Sequence, residues 1–177
     1  TAAINAAIGI CGVAHGCANG PTGRPFAETL EKMSAQGALV VPAHVNIANS
    51  GLLTGRGGQP LVTKIKHPDL HAIGVTPSQP DGTDQAAIIN GTKPYDRSHP
   101  LAVIYADDVT KPATFGSPGA SSWFKVSRLC VDSLKLAVRT PETRISLANP
   151  AVETRPVLKE ISWVGGFLDG VTIPFST

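Results

Sequence analysis

The feature that most constrains the fold is a short apolar run, Ala38-Leu39-Val40-Val41-Pro42-Ala43, that ends in His44. Its length and its β-branched residues are typical of a strand buried on both faces, which we predict over residues 38–42. A histidine at the carboxyl end of such a strand lies where α/β folds place their functional sites. The run therefore predicts both a core strand and the location of a site.

The composition is that of a globular chain. With 177 residues, of which 42% are apolar and 16% charged, the sequence can bury one sizeable core. The formal net charge of +2 gives no support to nucleic-acid binding, and no apolar run is long enough to cross a membrane. The apolar start, Thr1–Val13, lacks the basic residues of a signal peptide. Three cysteines, an odd and low number, favour reduced thiols in the cytoplasm.

Helices and strands are predicted to alternate along most of the chain. Between Pro25 and Gly37 the apolar residues recur at helical spacing, so we predict a helix over Arg24–Gln36. The alternation as a whole predicts a parallel sheet or an α/β barrel. Further short helices are expected at 61–66, 85–90 and 131–139, and buried strands at 71–76, 101–105 and 122–126.

The end of the chain follows a different pattern. Residues 149–156 contain two prolines among polar residues and are typical of a linker. Two apolar stretches separated by a Gly-rich turn occupy 161–175, which predicts a β-hairpin. We therefore place an α/β domain at residues 1–148, and a linker with a hairpin at 149–177.

Charged and imidazole side chains follow two of the predicted strands. His44 follows the first, and Asp107 and Asp108 follow the strand at 101–105. At the same end of parallel strands, a carboxylate and an imidazole make a divalent-metal site plausible. The alternative is that His44 is a hydrogen-bonded interior histidine and that the aspartates cap a loop.

A second group of metal-binding side chains lies near the start of the chain. Cys11, His15 and Cys17 are close together in a glycine-rich segment, and thiolates with imidazole suit zinc. The group offers three ligands, and its spacing matches no structural zinc pattern. The simpler interpretation is a chance grouping in a loop.

One glycine-rich segment carries a cation. Gly55-Arg56-Gly57-Gly58 could contact a phosphate through Arg56 and the backbone. It lacks the Lys-Ser/Thr of a P-loop, so a solvated turn is the alternative.

Several segments, in this order, resemble the PHP (polymerase and histidinol phosphatase) domains, in particular those fused to ATPases of the TrlF type. No single motif carries the resemblance, which runs from about Phe26 to Ile145. The matching segments are Gly37–Val45 with Ser50–Leu53, His67–Ile73, Tyr95–Ile104, Ser122–Lys125 and Ser133–Ile145.

The resemblance implies a partial or distorted (β/α) barrel of PHP type, of which this chain holds the later portion. It implies metal-dependent phosphoesterase chemistry with Zn, Mn or Fe, and only His44 and Asp108 carry over as catalytic metal ligands. Thr110 stands where the family has a histidine ligand, and the family's early ligands have no counterpart here. Arg56 and Lys64 are candidate phosphate-binding cations.

The tail extends the resemblance to a second domain. Glu160–Phe167 and Val171–Ser176 are similar to the first hairpin of an ABC/SMC-like ATPase, and the sequence ends before a Walker A loop. This implies a fragment whose partner is the rest of a larger polypeptide or an ATPase subunit, with no membrane partner. Nucleic acid is a conceivable substrate, although the net charge does not support it.

Two function hypotheses follow, and a third ranks below them. The first is a degenerate PHP-type phosphoesterase, and the second is a catalytically silent structural or regulatory module that docks on an ATPase. The third, an unrelated small-molecule α/β enzyme, requires an apolar pocket with its own polar cluster.

Overall fold

Helices and short strands alternate through most of the described chain, which confirms the α/β class. This computed structural model describes residues 6, 8–13, 22–54, 58–77, 84–105, 111–114 and 121–148, and the backbone of 160–163 and 171–174. The helices are α1 Phe26–Ala35, α2 Gln59–Ile65, α3 Gln85–Ile89, α4 Val131–Arg139 and α5 Pro141–Arg144. The strands are β1 Ala72–Val75, β2 Ala102–Tyr105, β3 Trp123–Phe124, β4 Ile145–Ser146, β5 Glu160–Trp163 and β6 Val171–Pro174.

Helix α1 ends in a tight turn at Gly37, which sets the direction of the segment that follows. The Gly37 amide donates to the Ser34 carbonyl and the Ala38 amide to the Met33 carbonyl, at 2.9 and 3.1 Å. Gly37 has a φ of 79°, which a residue with a Cβ rarely adopts. This is the Schellman arrangement, and it satisfies the last carbonyls of the helix. The apolar run that starts at Ala38 therefore leaves α1 in a defined direction.

A parallel pair, β1 and β2, forms the centre of the fold. Residues 72–75 pair in register with residues 102–105, and all four positions of β1 are buried. Apolar β-branched residues and the 26-residue stretch between the two strands, which includes α3, favour a parallel arrangement. The predictions of strands at 71–76 and 101–105 are confirmed, and β1 is buried throughout, whereas in β2 only Ala102 is fully buried.

The two faces of this pair carry side chains of different size. Ile73, Val75, Val103 and Tyr105 pack with buried residues of α1, α2 and α3. On the other face the small residues Ala72 and Ala102 allow a close approach of α4 and of the β3–β4 pair. The residues that pack there are Leu39, Val41, Ile104, Phe124, Val138 and Ile145. The core is therefore built in layers on both faces of β1 and β2.

The prediction of a strand at 38–42 is wrong, because this segment does not join the sheet. The segment is extended beside β1, and its side chains alternate between the two core clusters, with Leu39 and Val41 on one side and Val40 on the other. No ladder forms, because Pro42 has no amide hydrogen and His44 has a φ of 52°. The residues of the run are also partly exposed rather than fully buried.

The stretch at 122–126 also differs from its prediction. Only Trp123 and Phe124 form a strand, β3, and it pairs antiparallel with β4 instead of joining the parallel pair. In the described part of the chain the strands thus form three separate pairs, and the third is the predicted hairpin, with β5 antiparallel to β6. The linker predicted at 149–156 lies outside the described residues, and the domain division stays a prediction.

One arginine ties the end of α2 to the start of β1. The Arg97 guanidinium donates to the carbonyls of Ile65, His67 and Leu70, the last two at 3.1 and 2.5 Å. A cation at a helix C-terminus complements the helix dipole and satisfies carbonyls that have no partner within the helix. Arg97 therefore stabilises the connection between α2 and β1.

Replacing Arg97 should lower stability strongly. We expect Arg97→Ala to reduce the free energy of unfolding by about 2–4 kcal/mol, because several partly buried carbonyls lose a charged donor. Urea denaturation measures the change. The exposed cation Lys125 offers a control, and Lys125→Ala should change stability by less than about 0.5 kcal/mol. An Arg97→Ala protein as stable as the Lys125→Ala control would contradict this role.

A histidine next to β1 should make stability depend on pH. Burial, followed by the charges of Arg139 and Arg97, lowers the pKa of His71 below its ordinary value of 6.5, although Asp69 opposes the shift. The unfolded chain then binds this proton more readily than the folded chain. The free energy of unfolding should therefore fall as the pH drops below about 6.5 toward the lower folded pKa.

Chemical denaturation between about pH 7.5 and about pH 5.5 tests this dependence. The His71→Gln protein should show a flatter profile, and the exposed His99→Gln control should keep most of the slope. Identical profiles for His71→Gln and the unchanged protein would show that His71 does not contribute.

Candidate functional site

The candidate site lies at the carboxyl edge of the parallel pair, where the 38–45 segment ends. The His44 ring nitrogen Nδ1 is 2.8 Å from the Thr76 hydroxyl, which follows directly after β1. The backbone of Gly74 holds the segment in place, because its amide donates to the Pro42 carbonyl and its carbonyl accepts from the Val45 amide. The imidazole is thus placed at the strand end as the sequence predicts, although the strand that should carry it is an irregular segment.

A buried asparagine extends the pairing beyond the end of β1. The Asn46 amide group donates to the Thr76 carbonyl at 3.0 Å and accepts from the Thr76 amide at 2.8 Å. Asn46 and Thr76 are 2% and 4% exposed, so unpaired groups here would be costly. The side chain of Asn46 therefore makes the two hydrogen bonds to the Thr76 backbone that a neighbouring strand would otherwise make. In doing so it holds in place Thr76, the residue that bonds His44.

The chain after Asn46 folds back onto its own backbone. The amides of Gly51 and Leu53 donate to the carbonyls of Ile47 and Val45, both at 2.8 Å. A Cβ at Gly51 would come within 2.3 Å of the Val45 carbonyl oxygen, so this close approach requires glycine. Leu53 is buried in the core, and its side chain anchors this turn at the carboxyl edge of the parallel pair.

A cavity of about 270 Å³ opens at the same edge. It lies on the face of β1 and β2 that α3 covers, and it shares Thr76 with the His44 pair. Its polar lining residues are Asn46, Thr76, Gln85 and Tyr105, and its apolar ones are Val75, Pro77, Ile89, Val103 and Leu147.

The other predicted site residues are not brought together with His44 in the described part of the chain. Asp107, Asp108 and Arg56 lie outside the described residues. Lys64 is on α2, where its ammonium group stands 5.9 Å above the Phe26 ring, and it does not line the cavity. Phosphate binding by Lys64 stays a prediction.

The thiols contribute no metal site among the described residues. Cys11 and Cys130 are free, whereas His15 and Cys17 lie outside the described residues. No group of three His, Cys, Asp or Glu side chains suited to a metal is found in the part that the structure describes. These residues alone therefore do not complete the divalent-metal centre that the sequence suggests.

Sequence reasoning missed the neutral polar residues of this edge. Asn46, Thr76, Gln85 and Tyr105 belong to no chemical motif, and amides and hydroxyls are common in loops. The available signal was position, because Thr76 and Tyr105 end two apolar runs whose carboxyl ends meet at one edge.

The comparisons with known proteins leave the site to be interpreted from its own geometry. We compared the chain with family models, curated proteins and solved structures, and none of the three comparisons found a match. Among the described helices, none has both the length and the apolarity to span a membrane.

The two hydrogen bonds between the Asn46 side chain and the Thr76 backbone, called here the Asn46 brace, can be tested by substitution. We expect Asn46→Ala to lower the free energy of unfolding by about 2–4 kcal/mol, because it leaves both backbone groups of Thr76 without their partners. Asn90 lies exposed at the end of α3, and Asn90→Ala serves as the matched control with little change. Asn46→Asp should also destabilise, since an oxygen would face the Thr76 carbonyl. Equal stability of the Asn46 and Asn90 variants would contradict the brace.

Proposed function

We propose that this chain is the later portion of a PHP-type, metal-dependent phosphoesterase domain, degenerate in its ligand set, in which His44 and Asp108 are the retained metal ligands. The observation that carries the proposal is the position of His44, at the carboxyl edge of a parallel pair and bonded to Thr76. The ordered PHP-like segments of the sequence support it as well.

The hydrogen bond to Thr76 suits a metal-ligating histidine. Metal-bound histidines commonly use their second ring nitrogen to bond a neighbouring side chain or carbonyl, which fixes the ring. With Nδ1 engaged by Thr76, coordination by His44 would use Nε2. Tyr105 ends β2 at the same edge, and Asp107 and Asp108 follow it within three residues in the sequence. The end of β2 at this edge supports the proposal that Asp108 acts together with His44.

We propose in addition that the fold is a distorted (β/α) barrel of PHP type with a C-terminal hairpin that resembles the start of an ATPase-like domain. In such a centre a divalent metal activates water and holds a phosphate oxygen. Arg56 and Lys64 are proposed to assist by charge.

The test is a titration of the metal-free chain with Zn²⁺ and Mn²⁺ by calorimetry, followed by hydrolysis assays with p-nitrophenyl phosphate. We expect binding of one metal, and a loss of at least about tenfold in affinity in His44→Asn and in Asp108→Asn. Asparagine tolerates a positive φ, so His44→Asn removes the imidazole and retains the backbone. A weak or undetectable turnover is expected, because the ligand set is incomplete.

The exposed His99 provides the matched control, and His99→Asn should leave metal binding unchanged. Absence of metal binding by the unchanged chain, or equal binding by His44→Asn, would overturn the proposed ligand set.

A catalytically silent docking module is the second candidate, and a specific surface feature favours it. Leu129 is 89% exposed, and Val131, Leu136 and Trp123 are each about half exposed; large apolar side chains that are exposed together mark interaction sites. Absence of metal binding by the unchanged chain would favour this candidate over the enzyme. The partner in that case is proposed to be an ATPase or the rest of the same polypeptide.

The single replaced ligand position gives a further test of the proposed ligand set. Thr110→His should raise Zn²⁺ affinity in the calorimetric titration without producing hydrolysis. Three candidate ligands, His44, Asp108 and the introduced imidazole, can hold one ion but cannot supply the second metal that clamps the attacking and leaving oxygens. Hydrolysis by the Thr110→His protein would show that further residues complete the centre.

A further inference from the structure

We propose that the cavity beside Thr76 is a binding site for a small, uncharged organic group that carries a hydrogen-bonding function on an apolar body. The proposal does not rest on phosphoesterase chemistry, because neither His44 nor Lys64 is among the described residues that line the cavity. Its basis is the location, the size and the lining of the cavity.

The location is one that α/β folds use for ligands. Val75 and Tyr105 are the last residues of β1 and β2, and both line the cavity at the carboxyl edge of the parallel pair. Gln85 and Ile89 of α3 form another wall, and Leu147, directly after β4, adds a third. Clefts between a sheet edge and a covering helix are common binding sites, since the scaffold around them is already rigid.

The size limits the ligand to a small molecule. A volume of about 270 Å³ corresponds to about nine non-hydrogen atoms if each takes the ~30 Å³ of a liquid water molecule. Drug-sized pockets begin at about 300 Å³, so a nucleotide or a peptide would not be enclosed here.

The described part of the lining favours an uncharged ligand. Among the described residues that line the cavity, none is charged, and most are aliphatic. Burial of an ion against such walls without a partner would be costly. Asn46 and Thr76 already bond each other, whereas the Tyr105 hydroxyl makes no hydrogen bond with any other described residue. Tyr105 therefore supplies a donor and an acceptor for a ligand.

Three probes of one size and different charge test the class of ligand. Benzamide is neutral, benzoate is an anion and benzamidine is a cation, and each has about as many non-hydrogen atoms as the cavity can hold. Titration of the ¹⁵N-labelled chain should show benzamide binding with a dissociation constant in the millimolar range or below. The shifted amide resonances should be those of Thr76, Gln85 and Tyr105. Benzoate and benzamidine should bind at least about tenfold more weakly.

Two variants and a control locate the binding. Ile89→Phe fills the cavity and should weaken benzamide binding at least about tenfold, whereas Ala86→Phe adds the same ring on the exposed side of α3 and should not. Tyr105→Phe should weaken it about threefold to tenfold by removing one hydrogen bond. No benzamide binding, tighter binding of either ion, or equal binding by the Ile89→Phe and Ala86→Phe proteins would overturn the proposal.

Discussion

The two backbone hydrogen bonds of Gly74 are the interaction on which the candidate site depends. In a regular parallel pair, the amide of a residue donates to one carbonyl of the neighbouring strand, and its carbonyl accepts from an amide two residues further along that strand. One residue of the neighbouring strand therefore lies between these two bonding partners. Here two residues, Ala43 and His44, lie between the Pro42 carbonyl and the Val45 amide. The extra residue makes a bulge, and bulges redirect side chains at the ends of sheets. His44 consequently reaches Thr76 instead of continuing the alternation of the segment.

The difference in side-chain size between the two faces of β1 and β2 explains where the cavity forms. Ala72 and Ala102 let α4 and the β3–β4 pair approach closely on one face. On the other face the large residues of β1 and β2 are covered by short helices, and α3 ends at Ile89, near the carboxyl edge. Space therefore remains beside α3, between Gln85 and Ile89 of the helix and the polar residues at the ends of the strands. The bulge and the cavity lie at the same edge for this reason.

Much of the local structure could be predicted, because it depends on short-range periodicity. Helix α4 matches its predicted bounds of 131–139, and β1 and β2 fall within theirs. The predictions failed where distant residues decide the outcome. Residues 38–42 have the composition of a strand, but their conformation depends on the hydrogen bonds that Gly74 makes with Pro42 and Val45. The carbonyl partners of Arg97 lie about 30 residues away in the chain, so its role left no local pattern. The same is true of Asn46, whose partner Thr76 is 30 residues distant.

The backbone at His44 gives a physical reason to connect it with function. A left-handed conformation costs a residue other than glycine about 1–2 kcal/mol, and asparagine or glycine adopts it with less strain. The Gly74 hydrogen bonds and the Asn46 brace hold the chain in this conformation whichever residue occupies position 44. Glycine or asparagine at this position would carry less backbone strain but would lack the imidazole that bonds Thr76. The hydrogen bond between the imidazole and Thr76, at the edge of a parallel pair, offsets part of that strain, and it is the contact that would fix the ring in the proposed role of His44 as a metal ligand.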